Sequence, residues 1–339
     1  DTRFHVLDRA TNGEEALELL MRKTYDAVVL DVNMPKMNGL QLLKELRNRK
    51  IPARVIMAST DTKEGAQTTL DALSLGAIDF VHKPDSAFDC KDGTFDVRLM
   101  EILDAVCSTK ASDFSTREVD RSSLREANHK LVEMVSKSSR GASGSQIVAL
   151  ASSTGGPKAL QDVIPFLPAS LKALVVIVQH MSAGFTASLA ERLDSISEVK
   201  VTEANDGDVL ENGHVYIAKG GKHLNVDYSG GKHVIRYSDE PSREGVKPCA
   251  NYMYESLSKS PADRIVCVVL TGMGADGTKG IEYLKKYKKT FVITQDEDSC
   301  TVYGMPKSAF KAGLSDQVVT LKQVAQEIIM NVGVVKNGC

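Results

Sequence analysis

Gln146-Ile147-Val148-Ala149-Leu150-Ala151-Ser152-Ser153-Thr154-Gly155-Gly156-Pro157 is the stretch that decides the fold. Ile147 to Ala151 is apolar at every position, without the alternation of a strand that has one face in water, so it predicts a parallel strand covered on both faces. Glycines follow, then Pro157, a residue favoured in the first helical turn because its missing N–H is not needed there. Strand, glycine loop and helix in that order place the hydroxyls of residues 152–154 at a helix N-terminus.

The same grammar extends toward the C-terminus. Leu174 to Gln179, Val199 to Val201, His214 to Ile217, Arg264 to Leu270 and Thr290 to Thr294 read as strands, with helical patterns between them. No repeat of 20–50 residues is present, which excludes solenoids and propellers. The expected fold from about 146 to 339 is a doubly wound, mostly parallel α/β domain.

Toward the N-terminus, residues 1–106 also alternate strands with helices. Thr2 to Leu7 is predicted as a strand. Asn12-Gly13-Glu14-Glu15 opens a helix, with acidic residues where the helix dipole favours them. Ala27 to Leu30 is a wholly apolar strand stopping at Asp31, and a loop of residues 32–39 leads into a helix from Leu40 to Arg49. Arg54 to Ala58 and Asp79 to Val81 are further strands around a helix at Gly65 to Gly76, the last strand running into Lys83-Pro84. This is a second α/β unit, expected to be flavodoxin-like. Between the two, residues 107–145 are serine-rich and read as a linker, with a modest amphipathic helix at Arg117 to Val135 through Leu124, Leu131, Met134 and Val135.

Composition agrees with two folded domains. The chain has 339 residues, 42% hydrophobic and 25% charged, and its 42 Lys+Arg against 44 Asp+Glu leave a formal charge of −2. No basic stripe or helix-turn-helix pattern suggests a nucleic-acid partner. The longest strongly apolar run, Ala173 to Val178, is far short of the roughly 20 residues that cross a bilayer. Six scattered cysteines lack zinc spacing and read as reduced cytosolic thiols. The chain starts at Asp1 inside an alternating segment, which suggests a fragment.

In an open parallel sheet the site lies beyond the carboxyl ends of the strands. The residues found there are Ser152-Ser153-Thr154, then Gln179-His180-Met181, then Thr271-Gly272-Met273-Gly274-Ala275-Asp276-Gly277. A hydroxyl, an imidazole and a carboxylate are what acyl transfer requires: the histidine takes the serine proton and the carboxylate fixes the imidazole. Amides near Thr154 and Gly155, or in the Gly272 to Gly274 loop, would hold the oxyanion. Each residue also has an ordinary reading: the hydroxyls as helix N-caps, His180 as the end of a strand, Asp276-Gly277 as a turn. A rival reading is Gly272-x-Gly274-x-x-Gly277 with Asp296 about 19 residues on, the pattern of a dinucleotide fingerprint. His214, His223 and His233 are spaced too irregularly for a helical metal pair and read as surface residues.

With these motifs assembled, the chain resembles the chemotaxis protein-glutamate methylesterase family, response regulators with an attached hydrolase. Ser152-Ser153-Thr154-Gly155-Gly156, Gln179-His180-Met181 and Leu270 through Gly277 match its three hydrolase motifs in order. Gln295-Asp296, Ser299-Cys300 and Tyr303-Gly304-Met305-Pro306 resemble its next loop. Ser152 stands where the family usually has alanine. The resemblance implies Ser153 as nucleophile, His180 as general base and Asp276 as its carboxylate, with Thr154, Gly155, Met273 and Gly274 forming the oxyanion and substrate loops. It implies hydrolysis of glutamate γ-methyl esters on the cytoplasmic helices of chemoreceptors, and deamidation of receptor glutamines, without a metal or other cofactor. The enzyme would be cytoplasmic, peripheral to membrane receptors and bound to no nucleic acid.

For residues 1–106 the resemblance implies a receiver phosphorylated on Asp31 by a chemotaxis histidine kinase, with Ser59 as switch hydroxyl and Lys83 contacting the phosphate. In the family the unphosphorylated receiver covers the hydrolase site. The family's Mg²⁺-holding acidic pair lies on a strand before anything present here, and Asp8 is not a convincing substitute. The expectation is therefore a receiver lacking its first strand and helix, with Asp31 the sole member of the metal site and phosphorylation impaired, unless the native chain has acidic residues before Asp1, in which case Mg²⁺ serves receiver phosphorylation. An inactive regulatory module and a nicotinamide-cofactor enzyme are the alternatives from other classes.

Overall fold

The computed structural model describes residues 2–59, 63–83, 94–108, 121–138 and 145–335. The chain divides into two compact units, residues 1–119 and 120–339.

The first unit contains α1 (Gly13–Arg22), β1 (Val28–Asp31), α2 (Gly39–Asn48), β2 (Val55–Ser59), α3 (Lys63–Leu75), β3 (Asp79–His82) and α4 (Thr94–Ser108). Asn12 caps α1 by accepting from the amides of Glu14 and Glu15, and Asn38 forms a reciprocal capping box with Gln41 at the start of α2. The strands form a parallel sheet in the order β1-β2-β3, with Asp31 opposite Ala58 and Ser59 opposite His82. Ile56, Ala58, Ile78, Val81, Ile102 and Val106 form a buried core between sheet and helices. The strand expected at Thr2 to Leu7 is not formed. Val6 and Leu7 are 74% and 71% exposed, and among the described residues β1 pairs only with β2. Alternation alone does not make a strand; the backbone needs a ladder partner.

In the second unit, α5 (Arg121–Ser138) precedes β4 (Gln146–Ser152), α6 (Gly156–Val163), β5 (Leu174–Gln179), α7 (Phe185–Asp194), β6 (Lys200–Glu203), β7 (His214–Ile217), β8 (His223–Ser229) and β9 (Lys232–Ser238). Then come α8 (Ala250–Ser256), β10 (Arg264–Val269), α9 (Thr278–Lys285), β11 (Thr290–Gln295), α10 (Met305–Lys311), β12 (Gln317–Val319) and α11 (Val324–Val332). Helix α5 packs against α11, and its buried Asn128 donates to the carbonyl of Phe166 at 3.1 Å.

Seven strands form one parallel sheet in the order β12-β11-β10-β4-β5-β7-β6. All seven residues of β4 are buried, the physical meaning of its unbroken apolar run. From β4 the chain builds outward through β5 on one side, then returns through β10 to build the other. The direction reverses between β4 and β10, the topological switch point where a parallel sheet opens a crevice.

The antiparallel hairpin β8–β9 was not among the strands expected from sequence. Its signal is Gly230-Gly231, both at positive φ, forming a two-residue turn between alternating runs. His214, His223 and His233 are not surface residues: they are 7%, 0% and 5% exposed. They lie on β7, β8 and β9, where an inward-facing position buries any side chain that finds a hydrogen-bond partner. His214 pairs with Thr202 Oγ1, His223 lies between the Cys249 amide and the Pro241 carbonyl, and His233 pairs with Ser260 Oγ. Burial pushes the pKa of all three rings down.

Candidate active site

Ser152 and Gln179 are register partners on β4 and β5, so Ser153 and His180 leave the sheet side by side. The ladder continues one step beyond the strands: the Ser153 amide donates to the Thr271 carbonyl and the His180 amide to the Ser152 carbonyl, both at 3.0 Å. These bonds fix the backbone beneath both side chains. Ser153 is 3% exposed. The loop after β10 then carries Asp276 across the strand ends, where its Oδ2 lies 2.7 Å from His180 Nε2.

Asp276 is itself 3% exposed, and burying a carboxylate is costly unless donors replace its water. Its Oδ2 also accepts from the Ala250 amide at 2.6 Å. Its Oδ1 accepts from the Asn251 amide at 2.9 Å, the Gly277 amide at 2.8 Å and the Cys249 thiol at 3.1 Å. Burial raises the pKa of this carboxyl, but hydrogen bonds and charge from His180, with the donors of Ala250 and Cys249, outweigh it and hold the group below 3.8. An ionised acceptor requires His180 Nε2 to carry the proton, which leaves Nδ1 as the basic nitrogen.

Residues 152–154 do not act as helix N-caps. The cap of α6 is Gly155, at φ 76° and with no side-chain cap bond. A Cβ at Gly155 would lie 2.5 Å from Thr301, and one at Gly156 would lie 2.0 Å from Gln179 Oε1. The glycine pair therefore lets the loop that carries Ser153 press against both neighbouring segments. Ser152 is fully buried, its Oγ donating to Gln179 Oε1 at 2.6 Å. Gln179 Nε2 in turn donates to the carbonyls of Ser153 and His180. On the opposite flank Gln295 Oε1 accepts from the Thr271 amide at 2.8 Å, and Thr271 Oγ1 donates to the Thr154 carbonyl at 3.0 Å. Two strand-end glutamines thus brace the loops that carry Ser153 and Asp276.

Thr154 is buried, and its Oγ1 has no partner among the described residues. Met273 is half-buried and Gly274 exposed, on the loop leading to Asp276. Among the described residues, no hydrogen bond occupies the amides of Thr154, Gly155, Met273 or Gly274. The sequence motifs did not reveal Cys249, Ala250 or Asn251 as partners of Asp276, because two of those contacts are backbone amides and carry no side-chain signature.

The dinucleotide reading fails on geometry. Asn251 Oδ1 accepts from the amides of Gly277 and Gly280 at 3.1 and 2.7 Å, filling the start of α9 where a pyrophosphate would dock. Asp296 instead accepts from the amide of Ser299 in its own loop.

In the first unit Asp31, Ser59 and Lys83 meet at the carboxyl ends of adjacent strands. Lys83 Nζ is 2.5 Å from Asp31 Oδ2, the Asn33 amide donates to Asp31 Oδ1 at 3.1 Å, and buried Ser59 donates to the Gly65 carbonyl at 3.2 Å. Mg²⁺ wants several oxygen ligands. The described residues do not fit it: both Asp31 oxygens are engaged, no three metal-ligating side chains cluster, and Asp8 is held by Lys23 and Tyr25. Among the described residues no helix is long and apolar enough to cross a membrane.

Fold and site together define a protein of two parts: a receiver-type parallel α/β unit, then a doubly wound α/β domain with serine, histidine and aspartate gathered at its strand ends. Residues 148–328 match the CheB methylesterase family model, and residues 1–89 match the response regulator receiver domain. The chain belongs to the CheB methylesterase family. It is 38% identical to a protein of Pyrococcus abyssi over 100% of this chain and 89% of that one. It is 40% identical to proteins of Geobacillus kaustophilus (98% and 92% covered) and Bacillus subtilis (97% and 91%). All three are named protein-glutamate methylesterase/protein-glutamine glutaminase. Among solved structures, the Thermotoga maritima CheB methylesterase catalytic domain aligns with a TM-score of 0.54 at 40% identity, covering 56% of this chain and 99% of that domain.

Proposed function

We propose that this protein is a protein-glutamate methylesterase and protein-glutamine deamidase of chemotaxis adaptation, acting through Ser153, His180 and Asp276. The observation that carries the reading is the 2.7 Å bond from His180 Nε2 to buried Asp276, made beside Ser153 on the neighbouring strand end. Ser153 Oγ attacks the side-chain carbonyl of a glutamate γ-methyl ester while His180 Nδ1 takes its proton. The amides of Thr154, Gly155, Met273 and Gly274 are the candidate donors to the oxyanion, each such donor contributing about 2.7–4 kcal/mol to the transition state. Collapse of the tetrahedral intermediate expels methanol, protonated by His180, or ammonia from a glutamine. Water, activated by the same nitrogen, then attacks the acyl-enzyme and frees the glutamate and Ser153. Asp276 holds one tautomer throughout and stabilises the imidazolium.

Residues 1–106 are the receiver, 107–145 the connecting segment and 146–339 the catalytic domain. Asp31 is the acceptor for phosphate from the chemotaxis histidine kinase, with Ser59 and Lys83 reading it, and its phosphorylation is impaired because the described residues offer Mg²⁺ no acidic pair beside it; the phosphate adds about −1.5 to −2 charge beside Lys83, enough to bias a two-state receiver. The substrate is the cytoplasmic helix of a methyl-accepting chemoreceptor, which places the enzyme on the cytoplasmic side of the membrane without insertion.

The test is release of methanol from methylated chemoreceptor membranes by the full chain, by Ser153→Ala and by Asp31→Asn, with and without a small-molecule phosphodonor. Loss of release in Ser153→Ala supports the triad, and stimulation by the donor that vanishes in Asp31→Asn supports the regulation. Undiminished release by Ser153→Ala refutes the nucleophile.

A further inference from the structure

The shell around Asp276 holds a thiol that the reaction as described does not use. Cys249 is fully buried, and its Sγ lies 3.1 Å from Asp276 Oδ1, the oxygen turned away from His180. Its position is set from behind. The Cys249 amide donates to His223 Nδ1 at 3.2 Å, and His223 Nε2 faces the Pro241 carbonyl at 3.2 Å, so that ring is locked in one tautomer at the start of β8. The same segment supplies the Ala250 and Asn251 amides to the carboxylate, which ties the thiol and both amides to one short stretch of backbone.

We propose that Cys249 is a positioning residue of this hydrolase: its S–H anchors Asp276 Oδ1 and sets how much negative charge Oδ2 presents to His180. The inference rests on the esterase reading above. A carboxylate shares one charge between two oxygens, so a donor on Oδ1 draws density away from Oδ2. A sulfhydryl is a weak donor, and it leaves more charge on Oδ2 than a third amide would. Burial and the neighbouring carboxylate push the Cys249 thiol up to about 12, which keeps it in its donating form at working pH.

Other charged and titratable groups surround the cluster. His223 lies behind Cys249, with Lys247 and Glu240 beside it. Tyr254 lies on α8. Glu244 is reached through Asn251 Nδ2, with Lys279 3.8 Å away, and Arg243 pairs with Glu255. None of these touches Oδ1, so a change confined to the thiol reads out on the carboxylate.

The experiment compares pH–rate profiles for methanol release from methylated chemoreceptor membranes by the full chain, Cys249→Ala, Cys249→Val and Cys249→Ser, with Ser153→Ala in the same assay. Losing one hydrogen bond to a charged group is expected to lower kcat on the order of tenfold in Cys249→Ala, with KM unchanged because the thiol does not touch substrate. With charge returned to Oδ2, the acid limb of kcat/KM moves to higher pH. Cys249→Val fills the site without a donor and shifts the limb as alanine does. Cys249→Ser keeps a donor, and both limb and rate return toward the parent. A limb that stays in place in Cys249→Ala and Cys249→Val while both remain folded overturns the proposal, as does a serine variant that behaves like alanine. Release that survives Ser153→Ala overturns the esterase reading instead.

Discussion

Gly272→Ala tests whether the loop after β10 really sets the position of Ser153, the proposed nucleophile. A Cβ built on Gly272 lies 2.4 Å from Met305 Sδ, 2.7 Å from Ser153 Cβ and 3.1 Å from the Ser153 amide nitrogen. The thioether is the far end of a flexible side chain and can swing aside. Ser153 has no such freedom, because its amide is bonded to the Thr271 carbonyl and its strand is central in the sheet. The approach to Ser153 Cβ is about 0.7 Å short of the 3.4 Å at which ordinary contact begins, so a displacement of that size falls on the Ser153 side chain. Overpacking of this kind costs about 1–3 kcal/mol of stability. Misplacing a reacting group by a sizeable fraction of an ångström costs roughly 10- to 100-fold in rate. The assay is kcat for methanol release beside chemical denaturation, with Gly230→Ala as the comparison. That glycine has φ 59° but nothing within 4 Å of the added Cβ, so alanine there is strained yet touches no part of the site. Gly230→Ala should lose stability and keep kcat, whereas Gly272→Ala should lose both. A folded Gly272→Ala with parental kcat would refute the claim that this contact positions Ser153.

Asp276→Asn removes the charge but keeps the shape, and it is expected to lower kcat by on the order of 10³- to 10⁴-fold because the imidazole loses its enforced tautomer. The same carboxylate should be visible in acid unfolding. With its folded pKa below 3.8, its contribution to stability is complete above the unfolded value and is lost as pH falls through the folded one, so Asp276→Asn should show a shallower loss of stability below about pH 4. Ser152→Ala breaks the bond to Gln179 Oε1 and should cost about 1–2 kcal/mol in denaturant unfolding while kcat stays near the parent; a collapse of kcat to the level of Ser153→Ala would mean the wrong hydroxyl has been assigned. Lys83→Ala opens a pair whose side chains are about one-third exposed, so stability should change by less than about 1 kcal/mol, while the phosphodonor stimulation that the impaired receiver retains should disappear.

The internal contacts also explain why neighbouring hydroxyls differ in placement. Ser152 ends β4 with its side chain directed to Gln179, and Ser153 begins the turn beside His180. One position along the chain separates this buried brace, the last residue of β4, from the proposed nucleophile, the first residue beyond the strand. Gln179 and Gln295 mark the two flanks of the crevice, each spending its amide on loop backbone.

The sequence by itself determined the α/β alternation, most strand positions and the three motifs that supply Ser153, His180 and Asp276. Continuous apolar runs ending in glycine loops have one economical solution, a parallel sheet with its reactive residues at the carboxyl ends. It also placed Asp31, Ser59 and Lys83 at strand ends. Only the tertiary structure decided the rest. Thr2 to Leu7 has a strand's pattern but no ladder partner, and the buried histidines depend on the partners that the β7, β8 and β9 positions give them. The shell of Asp276 is built from backbone amides and one thiol, which come from a segment about 25 residues away in sequence and leave no pattern because a main-chain donor is present at nearly every residue. Whether Asp276 stays ionised in a dry site depends on that shell. The motif names the carboxylate, and packing decides its charge.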